Sequence, residues 1–188
     1  MAVVYAMPKE TLGEESLEVL ELGNCLANFR SLRDLVEVAK FSNSGKFNPG
    51  FRDDPRFGDL AGLSFMDKTA GGAIRLLAWP NLEQVAEDTY SAQQDKIDSS
   101  VRTVSCVEIV QFALRYFEEY GNYPDLGWTW LLTDDLVEPE EWPPWYRQFR
   151  QIGSNLRVAV RFDSVNGIIV SLMSADGLVA NGAIAVTW

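Results

Sequence analysis

The chain has no histidine among its 188 residues. This absence excludes Ser-His-Asp and Cys-His nucleophilic catalysis, imidazole general bases and the usual zinc sites. Its two cysteines, Cys25 and Cys106, are too few for a four-thiolate metal centre. It contains neither the G-x-x-x-x-G-K-S/T nor the G-x-G-x-x-G nucleotide-binding fingerprint. We therefore expect a protein that is not an enzyme and that holds no metal and no cofactor.

The only catalytic groups left are carboxylates. Three acidic pairs are candidates for a carboxylate or Mg²⁺ site: Asp53-Asp54, Asp134-Asp135 and Glu140-Glu141. Neighbouring residues on a strand point to opposite faces, so each pair by itself makes a poor two-carboxylate site. We interpret these pairs as solvated acids, and a histidine-free carboxylate enzyme is the third and last of our functional alternatives.

Long apolar runs are also missing. The longest, such as Ile168–Val170 and Ile74–Trp79, are far too short to cross a bilayer. The first five residues do not combine a basic region with a hydrophobic segment, so we expect no signal peptide. We expect both cysteines to be free, buried thiols in a reducing compartment, with a disulfide as the alternative. The expected location is the cytoplasm of a bacterium or of an infected host cell.

The charge that is present is unevenly distributed. The formal net charge is −11, and residues 81–145 carry 3 basic and 14 acidic side chains. Residues 146–188 instead carry 4 basic and 2 acidic side chains. An acidic block repels nucleic acid and anionic membranes and attracts basic protein surfaces. We therefore expect a basic protein partner, no direct nucleic-acid binding and no membrane binding, while the oligomeric state stays open.

The pattern of elements predicts an α+β fold: a mainly antiparallel sheet with two to four helices packed on it and a C-terminal β-meander. We expect one domain over residues 1–188, with residues 146–155 as the alternative point of subdivision. Alternating or continuous apolar residues predict six strands. These cover residues 3–5, 73–79, 126–132, 156–162, 167–173 and 182–188. Residues 14–22 fit either a strand or a helix.

Helix boundaries have local signals. Ser105 and Glu108 form a capping box, and Gly121 suits the left-handed position after a helix, so we predict a helix over residues 106–120. Ser31 and Asn81 are predicted N-caps of two further helices, the second fraying through residues 91–100. The composition of residues 41–62 predicts a long loop with interspersed phenylalanines. We interpret this loop either as a cover of one core edge or as a functional loop.

One segment combines aromatic and acidic side chains. Prolines in residues 133–144 predict a protruding loop that carries acids and tryptophans together. Tryptophan and tyrosine are frequent anchors at protein interfaces, and surrounding acids would steer a basic partner. The alternative is that the tryptophans pack into the core and hold the loop down. The predicted partner-binding residues are Trp128, Trp130, Asp134, Asp135, Glu138, Glu140, Glu141, Trp142, Trp145 and Tyr146.

A resemblance to a known family lies in the same region. Thr103-Val104-Ser105, a helix through Ala113 and Phe117, then Gly121, Pro124 and the tryptophans at 128 and 130 resemble the C-terminal part of small acidic bacterial toxin-immunity proteins. The chain departs from that pattern by continuing well beyond the tryptophans. The resemblance implies an α+β protein that binds and blocks a cognate toxin in the cytoplasm and has no enzymatic activity.

The favoured hypothesis is therefore an acidic, non-enzymatic binding protein that inhibits a basic protein. This class includes toxin-immunity proteins and phage-encoded inhibitors of a host nuclease or defence complex, whose carboxylates take the place of DNA phosphates. A phage or virus structural or assembly protein is the main alternative.

Overall fold

The computed structural model describes residues 3–6, 16–23, 30–35, 60–70, 72–85, 88–97, 100–142, 155–163, 167–175 and 182–187. Within these ranges the predicted α+β class is confirmed, with two β-sheets and α-helices packed against them. All but one of the strand pairings described are antiparallel. No helix in these ranges combines the length and the apolar character needed to span a membrane.

Five strands form the first sheet. They are β1 (Val3–Ala6), β2 (Ser16–Glu21), β3 (Leu76–Pro80), β4 (Arg102–Thr103) and β9 (Val186–Thr187), in the order β1-β2-β3-β9-β4. The central position of β3 follows from its sequence, because Leu77, Ala78 and Trp79 are all apolar and all buried. An uninterrupted apolar run of this kind suits a strand that is covered on both faces.

Four strands form the second sheet. They are β5 (Trp130–Val137), β6 (Leu156–Asp163), β7 (Gly167–Ser174) and β8 (Gly182–Ile184), in the order β7-β6-β5-β8. The predicted C-terminal strands are therefore present, and β6 and β7 form the expected antiparallel pair. The order of the last strand differs from the expectation, since β8 does not continue the meander. It pairs with β5 and runs parallel to it.

The last described segment connects the two sheets. Ala185, between β8 and β9, donates its backbone N–H to Leu132 O of the second sheet at 3.0 Å. Its carbonyl accepts from Val104 N, next to β4 of the first sheet, at 3.2 Å. Residues 182–187 are all buried. The switch between sheets explains why these residues cannot form a simple third meander strand.

The described helices include α1 (Leu82–Val85), α2 (Tyr90–Lys96) and α3 (Cys106–Tyr120). The bounds of α3 confirm the prediction from the capping box of Ser105 and Glu108, and Gly121 takes the left-handed conformation with φ of 78°. The expectation of one helix fraying after residue 90 is wrong. A separate helix begins there because Thr89 Oγ1 accepts a hydrogen bond from Ala92 N at 3.2 Å.

Helix α2 also closes one edge of the second sheet. The side chain of Gln93 is buried, and its Nε2 donates to Gly182 O at 2.9 Å while its Oε1 accepts from Ile184 N at 2.9 Å. The amide therefore satisfies the backbone groups of β8 that a further strand would otherwise pair with. Edge strands commonly need a cover of this kind.

The main core lies between α3 and one face of the second sheet. Val107, Val110 and Ala113 of α3 are buried in the same cluster as Val158 and Val160 of β6, as their spacing predicted. A smaller cluster includes residues from the opposite face of the second sheet together with β2, β3 and β9. Cys106 is a buried free thiol, as expected, whereas Cys25 lies outside the described residues.

The prediction of a loop over residues 133–144 is wrong where the structure describes it. Residues 133–137 continue β5 instead, and Pro139–Glu141 form one turn of 3₁₀ helix. The strand also starts later than predicted, at Trp130 rather than at residue 126. Of the predicted loop over residues 41–62, only residues 60–62 are described, and Leu60 is buried.

Candidate functional site

The predicted binding residues lie along β5, and the strand separates them into two groups. Trp128 and Trp130 lie at its start, whereas Glu138, Glu140, Glu141 and Trp142 follow its end. Eight extended residues span about 25 Å at the usual rise per residue. The aromatic and acidic side chains that are close in the sequence therefore form two ends of one strand rather than a single cluster.

A rigid turn presents Trp128. Asp125 Oδ1 accepts a hydrogen bond from Gly127 N at 2.8 Å, and Thr129 N donates to Leu126 O at 3.0 Å. Gly127 has φ of 57°, a conformation that glycine adopts without strain. Leu126 and Thr129 are buried, whereas Trp128 is 76% exposed. The two buried residues anchor the turn in the protein interior, and the turn holds the large apolar side chain of Trp128 in solvent.

Arg161 completes what we call the aromatic end: Trp128, Trp130 and Arg161. Its guanidinium carbon lies 5.3 Å from the centre of the Trp128 ring and 5.1 Å from that of Trp130. Register explains the contact with Trp130, because Leu131 pairs with Val160 and the next pair, Trp130 and Arg161, therefore shares the opposite face of the sheet, which the smaller cluster covers. Cation–π contacts of this kind fix the ring positions further.

A β-bulge in the middle of β5 separates the two aspartates. The register between β5 and β6 shifts between Leu132 and Leu136. Thr133 Oγ1 supports the bulge by donating to Val158 O at 2.8 Å and accepting from Asp135 N at 3.2 Å. Bulges of this kind redirect side chains. Here Asp134 is exposed and Asp135 is buried.

Asp135 is part of the framework and not of the surface, contrary to its predicted role in contacting a partner. Its Oδ2 accepts from Cys106 N at the start of α3 at 2.6 Å, and its Oδ1 lies 2.7 Å from Lys68 Nζ. The side chain is 2% exposed. Sequence reasoning missed Lys68, since nothing near it in the sequence signals a partner 67 residues away. The carboxylate therefore connects three distant segments.

Two carboxyl groups near this point have pKa values that shift in opposite directions. Burial opposes ionisation of Glu108, but hydrogen bonds from Arg102 and Ser105 outweigh it and lower its pKa. The guanidinium of Arg102 binds Glu108 through two hydrogen bonds of 2.7 and 3.1 Å. The pKa of Asp134 is raised, first by partial burial of its carboxyl group and then by the negative charges of Asp135 and Glu108.

The acidic end consists of Glu138, Glu140 and Glu141. Glu138 and Glu140 are exposed, as predicted for acids that meet a partner. Glu141 is partly buried and instead accepts hydrogen bonds from Ser64 N at 3.1 Å and from Ser64 Oγ at 2.9 Å. It thereby holds the chain before Lys68 against the end of β5.

Trp142 is 4% exposed and belongs to the main core. Its Nε1 donates to Val137 O at 2.9 Å, which satisfies its one polar group. As placed, it is unavailable as a surface anchor. Trp145 and Tyr146 lie outside the described residues.

Arg157 and Arg161 are partly buried residues that the partner prediction omitted. Arg157 lies over the Tyr90 ring at 3.8 Å and donates to Asp134 O at 2.9 Å. Arg157 and Arg161 are four residues apart on β6 and share one face, but only strand pairing brings them to Trp130 and Asp134. Within the described ranges, no three His, Cys, Asp or Glu side chains are grouped to hold a metal ion.

Comparison with known proteins adds no assignment. No protein-family model, curated protein or solved structure matches the chain.

Proposed function

We propose that the chain is an acidic, non-enzymatic binding protein that inhibits a basic protein partner, and that Trp128 is the anchor of the contact. The observation that carries this proposal is the 76% exposure of Trp128, a large apolar side chain held in solvent by an ordered turn. The exposed indole of Trp128 does not contribute to the hydrophobic core. Tryptophan is among the residues that contribute most to protein interfaces.

The rigidity of the turn supports this role. A side chain that is already positioned loses less conformational freedom when a partner covers it. Arg161 supports the Trp128 ring from the sheet, and the buried Leu126 and Thr129 hold its backbone. An anchor of this kind contributes mainly by slowing dissociation.

Charge supports the choice of a basic partner. The chain carries a net charge of −11, and its exposed acids include Asp125 beside the anchor, Asp134 on β5, and Glu138 and Glu140 at the acidic end. Such a field increases the rate of encounter with a positively charged protein. Among acidic inhibitors, toxin-immunity proteins and phage-encoded inhibitors of nuclease complexes both fit this description. In the second case the carboxylates would compete for lysines and arginines that hold nucleic acid.

The test has two stages. The tagged protein is used to capture partners from a lysate of its native source, and each candidate is then purified and its binding kinetics and activity are measured. We expect a basic protein whose own activity falls on binding, and we expect Trp128→Ala to weaken Kd about 30-fold or more, as for other buried anchors.

Tyr120→Ala is the matched control, because Tyr120 is an aromatic residue that is 46% exposed at the C-terminal end of α3. If both variants bind the partner as tightly as the native protein, Trp128 is not the anchor of the contact. Self-assembly of the purified chain into large particles, seen by size-exclusion chromatography, would favour a structural or assembly role instead.

A further inference from the structure

A cleft in the first sheet is lined by the end of β2, the residues that lead into β3, and β4. It has a volume of about 410 Å³ and is lined by Glu21, Ala73, Ile74, Arg75, Leu76 and Arg102. This volume falls in the range of small-molecule sites. The cleft brings together two arginines in a chain that is otherwise strongly acidic.

We propose that this cleft binds a small organic oxyanion, in which a carboxylate or phosphate group is carried on an apolar body. The proposal rests on the two arginines and the apolar lining of the cleft, and it is independent of the proposed inhibition of a basic partner. Guanidinium groups are the side chains best suited to bind such oxyanions through paired hydrogen bonds.

Arg102 is held in place before any ligand arrives. Its Nη1 and Nη2 donate to the two carboxylate oxygens of Glu108 at 3.1 and 2.7 Å, and Nη1 also donates to Thr103 O at 3.2 Å. Glu108 is itself 3% exposed, so this contact is fixed. The Arg102 side chain is 51% exposed, and a guanidinium has five N–H donors, so it retains donors for a ligand.

Arg75 is less tightly engaged. Its Nη2 donates to Gly23 O at 3.3 Å and lies 4.0 Å from Glu21 Oε1, and both side chains of this pair are more than half exposed. Exposed ion pairs at this distance contribute little. An oxyanion in the cleft can therefore take the place of Glu21 beside Arg75 without breaking a strong contact.

The cleft also has an apolar part. Ile74 is 6% exposed, and Ala73 and Leu76 are partly exposed beside it. These side chains favour a ligand with a hydrocarbon or aromatic body over a bare inorganic ion. Glu21 and Glu108 are the acids beside the cleft, and each lies within 4.0 Å of one of its two arginines. The more distant acids of the chain oppose an anion only weakly at physiological salt, where the screening length is about 8 Å.

The experiment is a calorimetric titration of the full chain with three probes: phenyl phosphate, benzoate and inorganic phosphate, in a buffer of physiological ionic strength without phosphate. We expect saturable binding of one or both aromatic probes and weaker binding of inorganic phosphate. Tighter binding of phenyl phosphate than of benzoate would identify a phosphate ligand, and the reverse order a carboxylate.

Two variants locate the site. Arg75→Ala should weaken Kd for the tighter probe about ten-fold or more, the loss expected for a charge-assisted hydrogen bond. Arg115→Ala is the control, because it removes one positive charge from an arginine that pairs with Glu118 outside the cleft. Circular dichroism checks that both variants fold. Absence of saturable binding at millimolar concentrations of every probe, or equal effects of the two variants, would overturn the proposal.

Discussion

Two tryptophans beside β5, one before its start and one after its end, are in opposite situations. Trp128 is 76% exposed on a glycine turn, and Trp142 is 4% exposed with its Nε1 bonded to Val137 O. Acids on and after β5 also differ from one another, since Glu138 and Glu140 are exposed whereas Asp135 is buried against the start of α3. The difference teaches that residue type alone does not define a binding surface. Backbone geometry decides which tryptophan and which acid a partner can reach.

The largest expected effect is a difference in the free energy of unfolding between variants of the two tryptophans. Trp142→Ala should lower the free energy of unfolding by about 3 to 5 kcal/mol, because it leaves a cavity in the main core. Trp128→Ala should change it by less than about 0.5 kcal/mol, as expected for an exposed side chain. Urea unfolding followed by circular dichroism measures both. Similar losses for the two variants would show that the ends of β5 do not differ as described.

The two adjacent aspartates allow a second comparison. Asp135→Ala should lower the free energy of unfolding by about 2 to 3 kcal/mol, because it leaves the buried Cys106 N–H without its acceptor. Asp134→Ala removes only an exposed side chain, and its backbone contacts to Val104 and Arg157 remain. The same unfolding measurement applies. If Asp135→Ala is as stable as the native chain, Asp135 is available as a surface acid after all.

The elements that sequence predicted best are those with local signals. The bounds of α3 follow from Ser105, Glu108 and Gly121, which all act within one turn of the helix ends. The β6–β7 pair follows from alternation on each strand. The position of β8 did not follow, because a parallel partner 52 residues earlier in the chain leaves no local pattern.

The site was harder to predict for a related reason. Acids and prolines in residues 133–144 favour a loop by composition, but the hydrogen bonds from Thr133 Oγ1 to Val158 O and from Cys106 N to Asp135 Oδ2 tie the segment to elements outside it. Tertiary hydrogen bonds thus override local preference. The exposure of Trp128 has a sequence signal in the Asp125–Gly127 turn, whereas its contact with Arg161 depends on strand pairing.

Exposed acids and the anchor should act on different rate constants. Changing Asp134, Glu138 and Glu140 together to amides should slow association with the identified basic partner several-fold and reduce its dependence on salt. Dissociation should change much less, whereas Trp128→Ala should accelerate it. Surface plasmon resonance over a series of salt concentrations measures both. An unchanged association rate in the triple variant would mean that the acids on and beyond β5 do not steer the partner.

The smallest expected effect concerns the two acids with opposite pKa shifts. The folded-state pKa of Glu108 lies below its ordinary value of 4.5, so its ionised form stabilises the fold. That contribution is present above the unfolded pKa and is lost as the pH falls through the folded pKa. The folded-state pKa of Asp134 lies above its ordinary value of 3.8, so its ionised form destabilises the fold once the pH exceeds the folded pKa.

Glu108→Gln should therefore lower stability at neutral pH and flatten the loss of stability below pH 4.5. Asp134→Asn, which keeps the side-chain shape, should raise stability slightly at neutral pH and leave it unchanged in strong acid, where both forms are neutral. Urea unfolding at a series of pH values compares the two variants with the native chain. Parallel changes in both variants, rather than opposite ones, would show that these two carboxyl groups do not lie in different environments.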